Sequence, residues 1–137
     1  MLDVVRHRDT EQLVVETYTV WPDELGQPNG ARQAGGPGSA IYGSSKAFAQ
    51  GLTRYLARDH AKDNIRVNAV APGFVLTPLQ ERSTSPEQQQ QMAARIPMRR
   101  AGLPADLVGA YLFLASDSMS GWITGATIDV NGGAYFG

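Results

Sequence analysis

Tyr42 and Lys46 stand four residues apart in the stretch Tyr42-Gly43-Ser44-Ser45-Lys46, a spacing that puts two side chains on one face of a helix. An ammonium beside a phenol favours the phenolate and lowers a pKa that starts at about 10. That shift brings the hydroxyl toward proton exchange with a carbonyl or alcohol oxygen, so the pair is a candidate acid/base. The same spacing also arises on the solvated face of an amphipathic helix, and the surrounding sequence has to decide between the two.

The surroundings, Pro37-Gly38-Ser39-Ala40-Ile41-Tyr42-Gly43-Ser44-Ser45-Lys46-Ala47-Phe48, resemble the active-site helix of the short-chain dehydrogenase/reductase family. Three later stretches resemble the same family in the same order. They are Asn64-Ile65-Arg66-Val67-Asn68-Ala69-Val70-Ala71-Pro72-Gly73, Arg100-Ala101-Gly102-Leu103-Pro104-Ala105-Asp106 and Gly125-Ala126-Thr127-Ile128-Asp129-Val130-Asn131-Gly132-Gly133. The resemblance implies an α/β fold over residues 37–137, the C-terminal half of a doubly wound, parallel-sheet, Rossmann-like domain, preceded by an atypical segment over 1–36. It implies NAD or NADP as cofactor, without a preference, and a small carbonyl or alcohol as substrate. Tyr42 then serves as acid/base, while Lys46 lowers its pKa and holds the nicotinamide ribose. Pro72, Gly73, Val75 and Thr77 line the nicotinamide site, with Val75 and Thr77 meeting the carboxamide. The Tyr-Lys spacing and the Asn-Gly-Gly end are those of the carbonyl-reductase type rather than of enoyl reductases.

Two family features have no direct counterpart. The family places a catalytic serine thirteen residues before the tyrosine, and that register falls on Asn29, in a stretch that cannot hold the expected strand between Pro22 and Pro28. A carboxamide can donate to a substrate carbonyl, and Asn29 can equally be an ordinary turn residue. The family also holds the cofactor pyrophosphate on a glycine-rich turn that follows a strand. Gly26, Gly30, Gly35, Gly36 and Gly38 follow no strand and lack its spacing. A second reading therefore stands beside the enzyme: a catalytically inactive, truncated remnant that serves only as a folding or oligomerisation module.

Composition narrows the partners. With 137 residues the chain suits one domain, and a net charge of −1 leaves no electrostatic footprint for nucleic acid or an anionic membrane. The absence of cysteine removes disulfides and thiolate metal sites. His7 and His60 have no metal-binding partner nearby, so no metal is expected. No long apolar run or signal peptide is visible, and a cytoplasmic location is the expectation.

The positioning elements are legible in part. Residues 13–21 are rich in β-branched and aromatic residues and predict a strand ended by Pro22, with a proline- and glycine-rich loop to Gly38. Ser39 is a candidate N-cap for a helix to about Ala61, with Phe48, Leu52, Tyr55 and Leu56 as its apolar stripe and Asn64 ending the connection. Residues 65–71 predict a buried parallel strand, and Pro72-Gly73-Phe74-Val75-Leu76-Thr77-Pro78 follows where open α/β sheets bind ligands. Ser85-Pro86 starts a helix. Leu79, Met92, Ile96 and Met98 form either an apolar lip over a substrate or simple packing. A helix from Pro104, apolar at Leu107, Val108, Tyr111, Leu112 and Leu114, is expected to reach Gly121, before a last strand at 127–130. Apolar stripes on so few strands predict a homo-oligomer, or a chain soluble only with a complementary N-terminal fragment.

Overall fold

The computed structural model describes residues 4–6, 12–16 and 40–135. Its centre is a four-stranded sheet in the order β1 (Val4–Arg6), β2 (Gln12–Glu16), β3 (Arg66–Pro72) and β4 (Thr127–Val130). β2, β3 and β4 are parallel, with Gln12 opposite Arg66 and Val70 opposite Ile128. β1 folds back antiparallel on β2, Val5 opposite Val14. The expected strand at 13–21 is thus Gln12–Glu16, with 17–21 outside the described residues. β1 was not foreseen, because three residues carry too little alternation to read.

Between β2 and β3 lies α1 (Ala40–His60), ended by a 3₁₀ turn at Ala61–Asp63 and by Asn64 in the left-handed region at φ 60°. The expected cap at Ser39 lies outside the described residues. The helix buries Gly43, Ala49, Gln50, Thr53 and Ala57, and of its large apolar stripe Leu56 packs partly, beside Ala57 and Val67. Small residues let the helix backbone lie close on β3, and the Thr53 hydroxyl is satisfied internally by donating to the Ala49 carbonyl at 2.9 Å. Phe48 and Tyr55, by contrast, are 65% and 71% exposed.

All seven residues of β3 are buried. Val67 packs with Ala57 of α1, whereas Val70 packs with Leu114 of α4 (Pro104–Ala115), Ile128 and Val130. Residues three apart in a strand point to opposite faces, so helices cover both sides of the sheet. α4 stops at Ala115, short of the expected Gly121. Ser116 breaks the helix with φ −91° and ψ 118°, and a separate turn, α5 (Asp117–Ser120), follows. The periodic apolar residues end at Leu114, and the run Ser116-Asp117-Ser118 competes for backbone hydrogen bonds as such residues do.

Two short helices join β3 to α4: α2 (Pro78–Ser83) and α3 (Pro86–Arg95). As the sequence predicts, Ser85 caps α3 and Pro86 opens it. The Ser85 hydroxyl accepts from Gln88 N at 3.3 Å, and the Gln88 side chain accepts from Ser85 N at 2.8 Å. The four residues expected as a lip divide. Met92 and Ile96 pack down on Phe74, while Leu79 and Met98 are 65% and 62% exposed.

Candidate active site

Tyr42 and Lys46 lie in the first two turns of α1, both half-buried, and the Lys46 Nζ stands over the Tyr42 ring, 5.5 Å from its centroid. At that distance the ammonium interacts with the face of the aromatic ring. Ser45 donates its hydroxyl to the Tyr42 carbonyl at 2.7 Å, tying down a carbonyl at the exposed helix start.

The helix returns to β3 through a tight connection, with Ala57 near its end packed on Val67 near the strand's beginning. Tyr42 is about four turns back along the helix, roughly 22 Å. Pro72 is five residues on along the strand, roughly 16 Å. The pair and the Pro72–Thr77 loop therefore lie toward the same end of the sheet, the carboxyl end of the strands.

That loop is held at three points. Gly73 N donates to Val130 O at 3.0 Å, linking it to the end of β4. A single parallel bridge then pairs Val75 with Gly102: Gly102 N donates to Phe74 O and Leu76 N donates to Gly102 O, both at 2.9 Å. Thr77 caps α2, its hydroxyl accepting from Gln80 N at 3.4 Å. In such a bridge the bonds to Gly102 come from the neighbours of Val75. The N–H and C=O of Val75 itself face the other way.

Gly73 is required by close approach. A Cβ there would lie 2.7 Å from Asn131 Cα and 2.8 Å from its Cβ. Asn131 cannot yield, because its carboxamide is engaged at both ends, accepting from Gly133 N at 2.9 Å and donating to Tyr135 O at 3.0 Å. Gly73→Ala is expected to cost about 1–3 kcal/mol through overpacking, read as a lower urea midpoint at unchanged slope.

Residues without a sequence-assigned role complete the support. Arg66 is buried at the start of β3. It donates to Leu114 O and Asp117 Oδ1, both at 2.9 Å, to Ser120 Oγ at 3.2 Å and to Ile123 O at 3.3 Å. Asn68, fully buried, donates to Ile123 O at 3.0 Å and accepts from Ala126 N at 3.1 Å. Together they tie the end of α4 and the approach to β4 onto β3. The signal was present in the sequence as two strong hydrogen-bonding side chains inside a run of Val and Ala, where each must find partners.

The Arg100–Asp106 pair was also unforeseen. The guanidinium forks onto the carboxylate at 2.6 and 2.8 Å, and Asp106 Oδ2 accepts from Leu103 N at 2.7 Å. The Arg100 hydrogen bond and then the Leu103 amide hold the Asp106 carboxyl down to about 2. Elsewhere, His60 meets Asp63 at 3.5 Å on the surface. Asn29 and His7 lie outside the described residues. No helix among the described residues is long and apolar enough to cross a membrane.

A sheet whose β2, β3 and β4 are parallel and covered on both faces, with a loop past the carboxyl end of an inner strand, belongs to the Rossmann-like class. The comparisons then narrow the class. A family model described as enoyl-(acyl carrier protein) reductase matches residues 29–135. The 3-oxoacyl-[acyl-carrier-protein] reductase FabG of Staphylococcus aureus is 46% identical over 101 residues, 74% of this chain and 40% of the relative. FabG of Thermotoga maritima is 46% identical over 100 residues, 72% of this chain and 39% of the relative. Among solved structures, an NADH-dependent reductase of alginate metabolism superposes with a TM-score of 0.68 at 34% identity, over 91% of this chain and 43% of that one. A Beutenbergia cavernae protein, provisionally assigned as an NAD(P)-dependent gluconate 5-dehydrogenase and solved with NADP at low occupancy, gives 0.74 at 32%, over 91% and 46%. The chain belongs to the short-chain dehydrogenase/reductase family. It spans about 40% of the length of the curated relatives it matches, corresponding to their C-terminal part.

Proposed function

We propose that these residues supply the catalytic and nicotinamide-facing half of an NAD(P)-dependent oxidoreductase acting on a carbonyl or alcohol carbon. The observation that carries this reading is the Tyr42–Lys46 pair on one helix face, with the ammonium 5.5 Å from the ring. The Tyr42 hydroxyl gives a proton to, or takes one from, the substrate oxygen. Lys46 keeps positive charge beside the phenol and binds the nicotinamide ribose. The Pro72–Thr77 loop fits a carboxamide, because the outward-facing N–H and C=O of Val75 match that group's acceptor and donor, and the Thr77 hydroxyl adds a third polar atom. Nicotinamide, when bound, supplies the hydride chemistry. The four-residue Tyr-Lys spacing favours carbonyl reduction over enoyl reduction, and the FabG relatives make 3-oxoacyl thioesters the first substrates to test. The test is hydride transfer from NADH or NADPH to a panel of ketones and 3-oxoacyl thioesters, with Tyr42→Phe as control.

For a polypeptide of these 137 residues alone, the reading as an inactive folding or oligomerisation module is favoured by one observation: none of its glycine clusters has the form of the pyrophosphate turn. Such a polypeptide is expected to bind nicotinamide cofactors no tighter than about 1 mM, worth about −4 kcal/mol. It is also expected to associate. Ile41, Phe48 and Tyr55 repeat every seven residues along α1 and are all exposed, as are Val108 and Leu112 on α4. Apolar surface in such rows recruits another surface. Sedimentation at micromolar concentration should show a dimer or larger species, and a single compact species of the 14.7 kDa chain mass would contradict this.

A further inference from the structure

The loop that carries Gly102 runs from the end of α3 to the start of α4 and has no strand or helix of its own to hold it. Its first half is anchored by buried Ile96 and by Met98 N, which donates to Gly132 O at 3.1 Å, and two features fix the half around Gly102. At one side, Gly102 is bonded to Phe74 O and Leu76 N, the two peptide groups flanking Val75. At the other, the Asp106 carboxylate gathers Leu103 N and both arms of the Arg100 guanidinium, which also donates to Ala101 O at 3.1 Å. Residues 100–103 are thus drawn around one carboxylate, with Gly102 at the inner edge. The contact is tight: a Cβ on Gly102 would come within 3.3 Å of Val75 Cγ2 and 3.4 Å of Phe74 O.

The pair is half-exposed, with side-chain accessibilities of 51% for Arg100 and 33% for Asp106. Ion pairs at that exposure contribute little to global stability. Its fork geometry and its reuse of the same carboxylate as a helix cap are instead suited to fixing direction.

We propose that Arg100 and Asp106 are positioning residues for the Val75 segment: by clasping the turn that presents Gly102, they set the direction of the Val75 peptide groups toward their ligand. The mechanical part rests on the hydrogen bonds alone, and the identity of the ligand as nicotinamide rests on the proposed function.

The test is residue-resolved amide hydrogen exchange on the 137-residue chain, comparing wild type with Arg100→Gln, Arg100→Lys and Asp106→Ala. In Arg100→Gln and Asp106→Ala, the Gly102 and Leu76 amides should exchange roughly tenfold faster while Ala69 and Gly73, bonded to β4 and its approach, change less than roughly twofold. Arg100→Lys keeps the charge without the fork and should recover only part of the protection. Wild-type rates at Gly102 and Leu76 would overturn the proposal. So would a rise shared equally by Ala69 and Gly73, which would make the pair a general stabiliser. Neither outcome depends on cofactor. An error in the nicotinamide reading appears separately, as a cofactor titration that leaves Gly73, Val75 and Thr77 unmoved.

Discussion

Wherever turnover is measurable, Tyr42→Phe should lower it by roughly 10²–10⁴-fold, the range that a positioned general acid or base contributes. The change removes one oxygen and little else. The ring that faces the Lys46 ammonium is retained, and so is the main-chain carbonyl that accepts from Ser45. The fold, the helix start and the loop after β3 are therefore expected to be unaffected, so the loss falls on kcat rather than on cofactor KM. Lys46→Ala should also lose activity, but with cofactor binding weakened, because its ammonium is assigned to both the phenol and the ribose. Rates are to be measured at millimolar nicotinamide cofactor, where a half-site of the expected affinity is partly filled. A Tyr42→Phe protein that turns over like wild type would remove the catalytic assignment.

Arg66→Ala carries the largest expected loss of stability, about 2–4 kcal/mol, from buried acceptors that lose a donor at about 1–3 kcal/mol each and from the lost packing of the side-chain stem. Against a total of about 5–15 kcal/mol, that is enough to unfold a substantial fraction of the protein. The reason lies in where its hydrogen bonds go. Leu114 is fully buried, so its carbonyl loses the guanidinium with no access to water in exchange; Ser120 Oγ loses the same donor, and Ile123 O is left with Asn68 alone. The acidic partner matters less. Asp117 is 56% exposed, and Asp117→Asn should cost about 0–1 kcal/mol. Arg66→Lys should not rescue, since one ammonium cannot span acceptors on α4, α5 and the segment before β4. Urea denaturation of the three variants separates these expectations. An Arg66→Ala midpoint as mild as that of Asp117→Asn would show that the buried carbonyls do not depend on the guanidinium.

The contrast between α1 and β3 shows how much was legible in the sequence. For β3, an apolar run interrupted only by Arg66 and Asn68 and bounded by Asn64 and the Pro72-Gly73 turn marked the strand within a residue, because a doubly covered parallel strand is apolar on both faces apart from side chains that find internal partners. For α1, the length was readable but the buried face was not. The stripe at Phe48, Leu52, Tyr55 and Leu56 is the most apolar one, yet the helix turns Gly43, Gln50 and Ala57 inward, since close approach to a sheet selects small residues rather than greasy ones. Leu56 packs partly beside Ala57 and Val67, and Phe48 and Tyr55 stay exposed to another surface. The candidate site could be proposed from the sequence as Tyr42, Lys46 and the loop after β3, because those residue types sit at fixed local spacings. Its supports were not. Arg100–Asp106, Gly102 against Val75, and Gly73 against Asn131 depend on which segments meet in space, and neither periodicity nor propensity encodes that.

The central claim is that the loop after β3 and the Tyr42–Lys46 face form one nicotinamide site. The most direct measurement is a titration of isotope-labelled protein with NADH, followed by amide chemical shifts up to roughly ten times the expected millimolar Kd. The predicted result is a saturating shift at Gly73, Val75 and Thr77 together with Lys46, at a Kd no tighter than about 1 mM. Shifts that saturate elsewhere while these four residues stay still, or a micromolar Kd, would contradict it.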